Sequence, residues 1–500
     1  MSEDHIHIRS TLRARGICVV IPTYNNVGTL RDVVTETLRY SDDVYVVDDG
    51  STDGSADVLA AIEGIRVVTH TVNKGKGHAL RSGFRQALAD GFSYAITLDS
   101  DGQHYPDDIP QLLKANQEHP GCLIVGSRNL DGVERTAGSS FANKFSNFWF
   151  YVQTGRRLSD TQTGYRLYPL KKLRGLSLLT SRYEAELELM VLASWHGVQL
   201  VETPVKVFYP PKEERVTHFR PFWDFARISV LNTVLCFLAV VYGLPLRLWR
   251  WLMRWLRTAY SALTFGFFSL FVCNPLIWLY LKCGKITEKK RRWLHQFILR
   301  FARFITLRHG IPGAKFSYSV ADGVDFNKPS VIICNHQSHL DLVCQLIFTP
   351  NIIFLTNDWV WKNPFYGMVI RNAEYYPVSE GIDKLLPNLR SLVERGYSIA
   401  VFPEGTRSKD CSIARFHQGP FYMADQLGVD VLPMCLYGAG KVLPKGGRWL
   451  RKGPIHIEVG KPVSREELDA MGGYRQQASE LRKRYLKKYE ELCNKIEQDV

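Results

Sequence analysis

The sequence predicts an α/β chain made of two separate, mostly parallel sheets with central membrane-associated helices between them. Three observations predict it. First, 500 residues at 45% hydrophobic exceed what one core holds, because cores stop growing at about 250–300 residues and longer chains divide. Second, short apolar runs alternate with amphipathic stretches over residues 17–126 and again from residue 329, the pattern of strands joined by helical crossovers. Third, the net charge of +14 is concentrated: residues 221–310 hold 14 Lys and Arg against 2 Asp and Glu, so +12 of it lies beside the most hydrophobic sequence in the chain. That placement points to anionic membrane lipids and away from nucleic acid.

The elements follow in order. The N-terminal MSEDHIHIRSTLRARG has no apolar run of the signal-peptide kind and leads into ICVVIP, GTLRDVVTETLRY, DVYVVDD, a helix near 54–63, IRVVTH, GHALRSGFRQALAD, YAITLDSD and CLIVGSR. In the middle, Ile228–Leu246 and Tyr260–Leu281 are each nearly long enough to cross hydrocarbon. Between them, Arg247, Arg250, Arg254 and Arg257 recur at intervals of three, four and three, a cationic stripe on a helix flanked by Trp249, Trp251 and Trp255. Two full spans would place that stripe on the outer side against the positive-inside tendency. A shallow hairpin or re-entrant pair on the cytoplasmic face is therefore expected. The second α/β pattern runs through PSVIICNH, NIIFLTN, SIAVFPEG and VDVLPMCLYG to a charged helix around 474–497. The expected divisions are 1–222, 223–308 and 309–500. Ten dispersed cysteines without a Cys-x-x-Cys pair predict a reduced protein, with both catalytic parts at the cytoplasmic face of the inner membrane.

The first candidate chemistry lies where YAITLDSD ends. Asp99 and Asp101 protrude at the carboxyl end of a strand, where parallel sheets form their ligand crevice, and hard cations such as Mg²⁺ or Mn²⁺ take carboxylate and phosphate oxygens together. Asp-x-Asp alone is a weak signal and reads more readily as a strand end and turn. Here it stands with Ile21–Asn25, VVDDGSTD at 46–53, NKGKGHALRSGF, TLDSDGQHYPDDI, GSR at 126–128 and DTQTGYRLY at 160–168. In that order, over about residues 15–210, the chain resembles inverting nucleotide-sugar glycosyltransferases of the polyprenyl-phosphate mannose synthase type. The resemblance implies a GT-A, Rossmann-like fold, with Pro22, Tyr24 and Asp49 lining the base and ribose pocket. It implies Asp99, Asp101 and Gln103 as metal ligands and Lys76 in a loop approaching the nucleotide. Arg128 and Arg166, with Lys144 as a further candidate, would neutralise the pyrophosphate or an acceptor phosphate. A phosphate acceptor needs no base; a hydroxyl acceptor does, and Glu184 or Glu186 is the candidate. The bland alternative is that Glu184 and Glu188, four apart, form one polar helix face.

The second lies in Asn335–Asp341. His336 and Asp341 can meet across a turn, Asp341 orienting the imidazole while its other nitrogen takes a proton from an acceptor hydroxyl that attacks a thioester. With FPEGTRS at 402–408 and VLPMCLYG at 431–438, residues 309–465 resemble the lysophosphatidate acyltransferase family of glycerolipid acyltransferases. The resemblance implies His336 as base, Asp341 as its partner, Glu404 and Arg407 binding and positioning the acceptor, and Gly405 permitting close backbone approach. One block departs from that family: Met368–Glu380 has Ala373 and Ser379 where a glycine and a phosphate-binding arginine are usual, so the acceptor is expected to lack a glycerol-phosphate head unless Arg371 or Arg407 compensates. The expected function is bifunctional: sugar transfer from a nucleotide-sugar to a lipid or polyprenyl-phosphate acceptor, and acyl transfer from acyl-CoA or acyl-carrier protein to a lipid or glycolipid hydroxyl. The alternatives are two independent activities on one membrane anchor, or a degenerate membrane scaffold.

Overall fold

A computed structural model describes residues 3–128, 137–208, 221–282, 286–308, 310–363 and 367–499. The chain divides into two compact units, Met1–Arg250 and Trp251–Glu497. In the first, β1 (Ile17–Thr23), β2 (Val44–Asp48), β3 (Ile65–Thr69), β4 (Tyr94–Thr97), β5 (Leu123–Arg128), β6 (Arg166–Pro169) and β7 (Leu200–Val205) form one sheet in the order β3-β2-β1-β4-β6-β5-β7. Only β6 runs against its neighbours. Strands β1, β2 and β4 are buried along their whole length, as their unbroken apolar runs require when helices cover both faces. Alternate residues feed opposite cores: Val19, Ile21, Val44 and Val46 join one cluster, Cys18, Val20, Tyr45 and Val47 the other.

In the second unit, β8 (Ala314–Val320), β9 (Ser330–Cys334), β10 (Ile352–Thr356), β11 (Tyr376–Pro377), β12 (Ser398–Val401), β13 (Asp430–Tyr437) and β14 (Gly453–Val459) are ordered β11-β10-β12-β9-β13-β14-β8. All neighbours are parallel except β13 and β14. The sequence reading missed β8, β11 and β14. Two of these are edge strands of the sheet, and β14 is half-buried in alternation, so none shows the long apolar run that marks a central strand.

The expected hairpin is not formed. Helices Pro221–Leu238, Leu244–Phe267 and Asn274–Lys282 follow one another through two π-helical segments, Ala239–Gly243 and Phe268–Cys273, without a reversing turn. Pro245 and Pro275 explain both segments. Each lacks an N–H and would collide with the carbonyl four residues back, Val241 or Phe271, and a π-bulge at that place lets the helix continue. The division between the units falls inside this helix. It is the one helix among the described residues long and apolar enough to cross a membrane, and only 28% of its most apolar window is buried, which disfavours a soluble core helix.

Three of the four stripe arginines are turned inward, and Arg254 is exposed. Arg247 Nη1 donates to the carbonyl of Thr154 at 2.8 Å, at the end of helix Ala137–Thr154. Arg250 lies against Gly197, just past helix Glu184–Trp195. Cations there meet the negative ends of two helix dipoles. Arg257 packs on Gly313 in the second unit. The opposite side of the helix is left bare, with Trp249 60% exposed and Trp255 45%.

Candidate active sites

In the first unit the polar residues gather past the carboxyl ends of β1, β2 and β4. Asp49 ends the buried run of β2, and its carboxylate accepts from the amides of Lys74 (3.0 Å) and Gly75 (2.7 Å). It also lies 2.6 Å from Nδ1 of buried His70, whose Nε2 is 2.9 Å from Ser82 Oγ. Asn25, at φ 49°, accepts from the Thr52 amide at 2.8 Å and so ties the loops after β1 and β2 together.

At the end of β4, Lys76 stands between two carboxylates, 2.7 Å from Asp99 Oδ1 and 2.8 Å from Glu186 Oε2. Burial opposes ionisation of Asp99, yet the Lys76 charge brings its carboxyl below the ordinary range. Asp101 is different: burial, then the charge of Asp99, raises it to about 6. Glu186 Oε1 is buried with no hydrogen-bond partner among the described residues, as is Nδ1 of His104. Burial pushes the His104 imidazole down to about 4, so it is neutral. Gly164 closes the site, because a Cβ there would lie 2.4 Å from Asp99 Oδ2.

The second centre sits at the end of β9. His336 Nδ1 is 2.7 Å from Asp341 Oδ2, and the same oxygen accepts from the amides of Gln337 (2.6 Å) and Ser338 (2.8 Å). With a carboxylate on Nδ1, that nitrogen carries the proton and Nε2 is left basic. The His336 ring stacks on Phe402, centroids 3.8 Å apart. Glu404 is a brace: Oε1 accepts from the His336 amide at 2.8 Å and Oε2 from the Ala414 amide at 2.7 Å. Burial pushes the Glu404 carboxyl up while those two amides pull it down. Gly405 has φ +67°, and a Cβ there would meet the His417 ring at 3.2 Å.

Residues 18–173 match the model of glycosyl transferase family 2. The undecaprenyl-phosphate mannosyltransferase of Micrococcus luteus is 32% identical over 206 residues, 38% of this chain and 82% of that protein. The polyprenol monophosphomannose synthase of Mycolicibacterium smegmatis is 34% identical over 220 residues, 41% of this chain and 80% of that protein. The chain belongs to glycosyl transferase family 2. Residues 315–437 match the acyltransferase family model, and a chloroplastic 1-acyl-sn-glycerol-3-phosphate acyltransferase of Arabidopsis thaliana is 27% identical over 214 residues, 42% of this chain. The chain spans little more than half, 57%, of that plant enzyme. One polypeptide thus carries a glycosyltransferase domain followed by an acyltransferase domain.

In the glycosyltransferase unit the structure brings Lys76, Asp99 and Glu186 into one cluster, with Asp101 beside it. Gln103 holds the turn, its amide donating to Asp101 Oδ1 at 3.0 Å. Pro22 is buried in β1 opposite Val47, and Tyr24 is half-buried just beyond. Arg128 is clasped by Asp160, with Nε at 2.6 Å and Nη2 at 2.9 Å from its two oxygens. Arg166 is buried, and its guanidinium donates to Tyr168 Oη and to the carbonyls of Glu186 and Thr161 at 3.0–3.1 Å. Lys144 is exposed on helix Ala137–Thr154. Glu184 and Glu188 do not form a solvated face. Both are buried, and Glu188 accepts from the amides of Leu179 (2.6 Å) and Thr180 (2.9 Å).

In the acyltransferase unit Arg407 is half-buried, and its charge, after burial, lowers the imidazole of His339. Arg371 donates to the Trp361 carbonyl at 2.6 Å, and Ser379 Oγ donates to Asp358 Oδ1 at 2.7 Å. The sequence reading passed over Asp160, His70, Gly164 and Phe402. Asp160 and Gly164 belong to the quoted DTQTGYR and Phe402 to FPEGTRS, so the signal for those three was present.

Proposed function

We propose that the chain is a membrane-attached bifunctional enzyme: the first unit transfers a sugar from a nucleotide-sugar to a lipid acceptor with inversion, and the second acylates a lipid or glycolipid hydroxyl. What carries the reading is that both matched domains retain an assembled polar centre, Lys76–Asp99–Glu186 with Asp101 in one and His336–Asp341 in the other.

The donor set Asp99, Asp101 and Gln103 fits Mg²⁺ or Mn²⁺, because all are hard oxygen donors and the two crowded carboxylates, one held at about 6, gain from a cation. When bound, the ion would neutralise the diphosphate of the leaving nucleotide. Asp49, fixed by two amides and His70, would line the base or ribose pocket with Pro22 and Tyr24. Arg128 would meet phosphate while Asp160 holds its fork, and exposed Lys144 remains a candidate for the acceptor side. Arg166 positions the strand end and the Glu186 turn through backbone carbonyls. A lipid phosphate acceptor attacks without a base. For a hydroxyl acceptor, Glu186 is favoured over Glu184, because its unpartnered Oε1 can accept the proton.

In the second unit His336 Nε2 takes the proton of the acceptor hydroxyl, and the alkoxide attacks the thioester of acyl-CoA or acyl-carrier protein. Asp341 holds the ring and supports the imidazolium. Glu404 positions His336, and Arg407 is the cation left to orient the acceptor. Ser379 beside Asp358 puts a carboxylate where a phosphate-bearing head would need a cation, which supports an uncharged acceptor head. The bare tryptophan side of the long helix would seat both units at the cytoplasmic membrane face among anionic lipids.

The test is to incubate membranes carrying wild type, Asp101→Ala or His336→Ala with labelled nucleotide-sugars and acyl donors. His336→Ala should accumulate a glycosylated, unacylated lipid, and Asp101→Ala should yield neither product. Acylation that persists undiminished in Asp101→Ala would leave two independent activities on one anchor.

A further inference from the structure

Away from both catalytic centres, a cavity of about 260 Å³ opens in the acyltransferase unit between the segment following Glu404 and the start of helix Tyr474–Asp499. Arg415, Arg475 and Arg482 line it with Phe416, Gln418 and Ser479, and no carboxylate does. Arg482 is held in place by two carbonyls, Nε to Ala414 at 2.8 Å and Nη2 to Ile413 at 3.1 Å. Arg475 lies in the first turn of a 26-residue helix that has no acidic residue in that turn. A cation there opposes the helix dipole, whose positive end favours an anion. The acids on neighbouring elements are engaged elsewhere: Asp425 with Tyr474 Oη at 2.7 Å and Arg465 at 3.5 Å, Glu480 with Lys483 at 3.4 Å. Three guanidinium groups and a helix start thus converge on one cavity without a counter-charge lining it.

We infer that this cavity binds the phosphates of the acyl donor, the phosphorylated adenosine end of a coenzyme A thioester. The inference rests on the acyltransferase reading and names its donor. Guanidinium forks match phosphate oxygens in pairs, and the cavity admits a phosphate-bearing group but not a folded carrier protein. It is also joined to the base. Arg482 holds the Ala414 carbonyl, the Ala414 amide donates to Glu404, and Glu404 accepts from the His336 amide. One hydrogen-bonded strap therefore spans from the phosphate site to the residue that acts at the thioester.

The test uses the full chain in detergent micelles. Calorimetric titration with adenosine 3′,5′-bisphosphate should show binding that the double variant Arg415→Gln/Arg475→Gln weakens by about tenfold or more and that His336→Ala leaves intact. The same double variant should raise KM for acyl-CoA by a similar factor with kcat held. Its KM for acyl-pantetheine, which carries no phosphate, should not move. Equal nucleotide binding in wild type and double variant overturns the inference. So does inorganic phosphate binding as tightly as the nucleotide, or a variant that loses binding to phosphatidylglycerol vesicles alone, which would make the site a lipid-headgroup site. Nucleotide binding that the double variant loses, in a chain that acylates nothing, would keep the site and remove the acyltransferase reading.

Discussion

The two centres of this chain handle buried carboxylates in opposite ways. In the glycosyltransferase unit Asp99 and Glu186 share one ammonium, Lys76, while Asp101, crowded by Asp99, is raised to about 6. In the acyltransferase unit Asp341 is fully buried, yet Oδ2 receives the His336 ring and two amides. The first is short of positive charge and gains when a cation arrives. The second supplies three donors from its own chain to Asp341 Oδ2, while Oδ1 is buried with no hydrogen-bond partner among the described residues. Buried charge is tolerated only when compensated, and here one site leaves part of that compensation to its ligand.

Four measurements would break or sharpen this contrast. The largest effect is expected from His336→Ala, which should lower acylation by about 10²–10⁴-fold while sugar transfer, resting on a separate core, is retained; parallel loss of both activities would show the centres are not independent. Chelation of divalent metal should lower sugar transfer on the order of a thousandfold and leave acylation of a supplied glycosylated lipid unchanged, as read by product assays on one preparation. Glu404→Gln turns an amide N–H₂ toward one of two backbone amides. It should cost about 1–3 kcal/mol of stability in the acyltransferase unit and lower its kcat, as seen by thermal melting and kinetics. The smallest effect is on pH. Asp101 is raised relative to an unfolded carboxyl, so its protonation favours the folded state as pH falls toward 6 and below, and the same proton competes with the cation. Metal affinity of the glycosyltransferase unit should therefore weaken below about pH 6, with proton release on binding, measured by titration in two buffers of different ionisation enthalpy; a flat profile from pH 5 to 7 would remove the shared-charge account.

The parts of each centre that were legible in the sequence are those whose partners are close in the chain. Asp99 and Asp101 share a strand end, and His336 and Asp341 share a turn, so spacing alone suggests their contact. Lys76 with Glu186, Arg128 with Asp160, and Glu404 with the His336 amide are pairs brought together by strand order. Charge type cannot reveal such pairs, because any of several lysines or acids would fit. Arg166 shows the same limit: its motif marked it as important, but only the sheet shows it donating to backbone carbonyls.

By itself, the sequence determined two α/β domains, their central strands, the hydrophobic basic segment between them and the local members of both centres. These follow from apolar runs, periodicity and short spacings, which local physics sets. The tertiary structure alone decided that the segment continues as one helix through two proline-induced π-bulges, that Arg247, Arg250 and Arg257 turn toward protein while Arg254 stays exposed, and which groups Lys76, Glu186 and Glu404 hold. Those outcomes depend on which distant surfaces meet, and a buried charge takes its partner from whatever the fold places beside it.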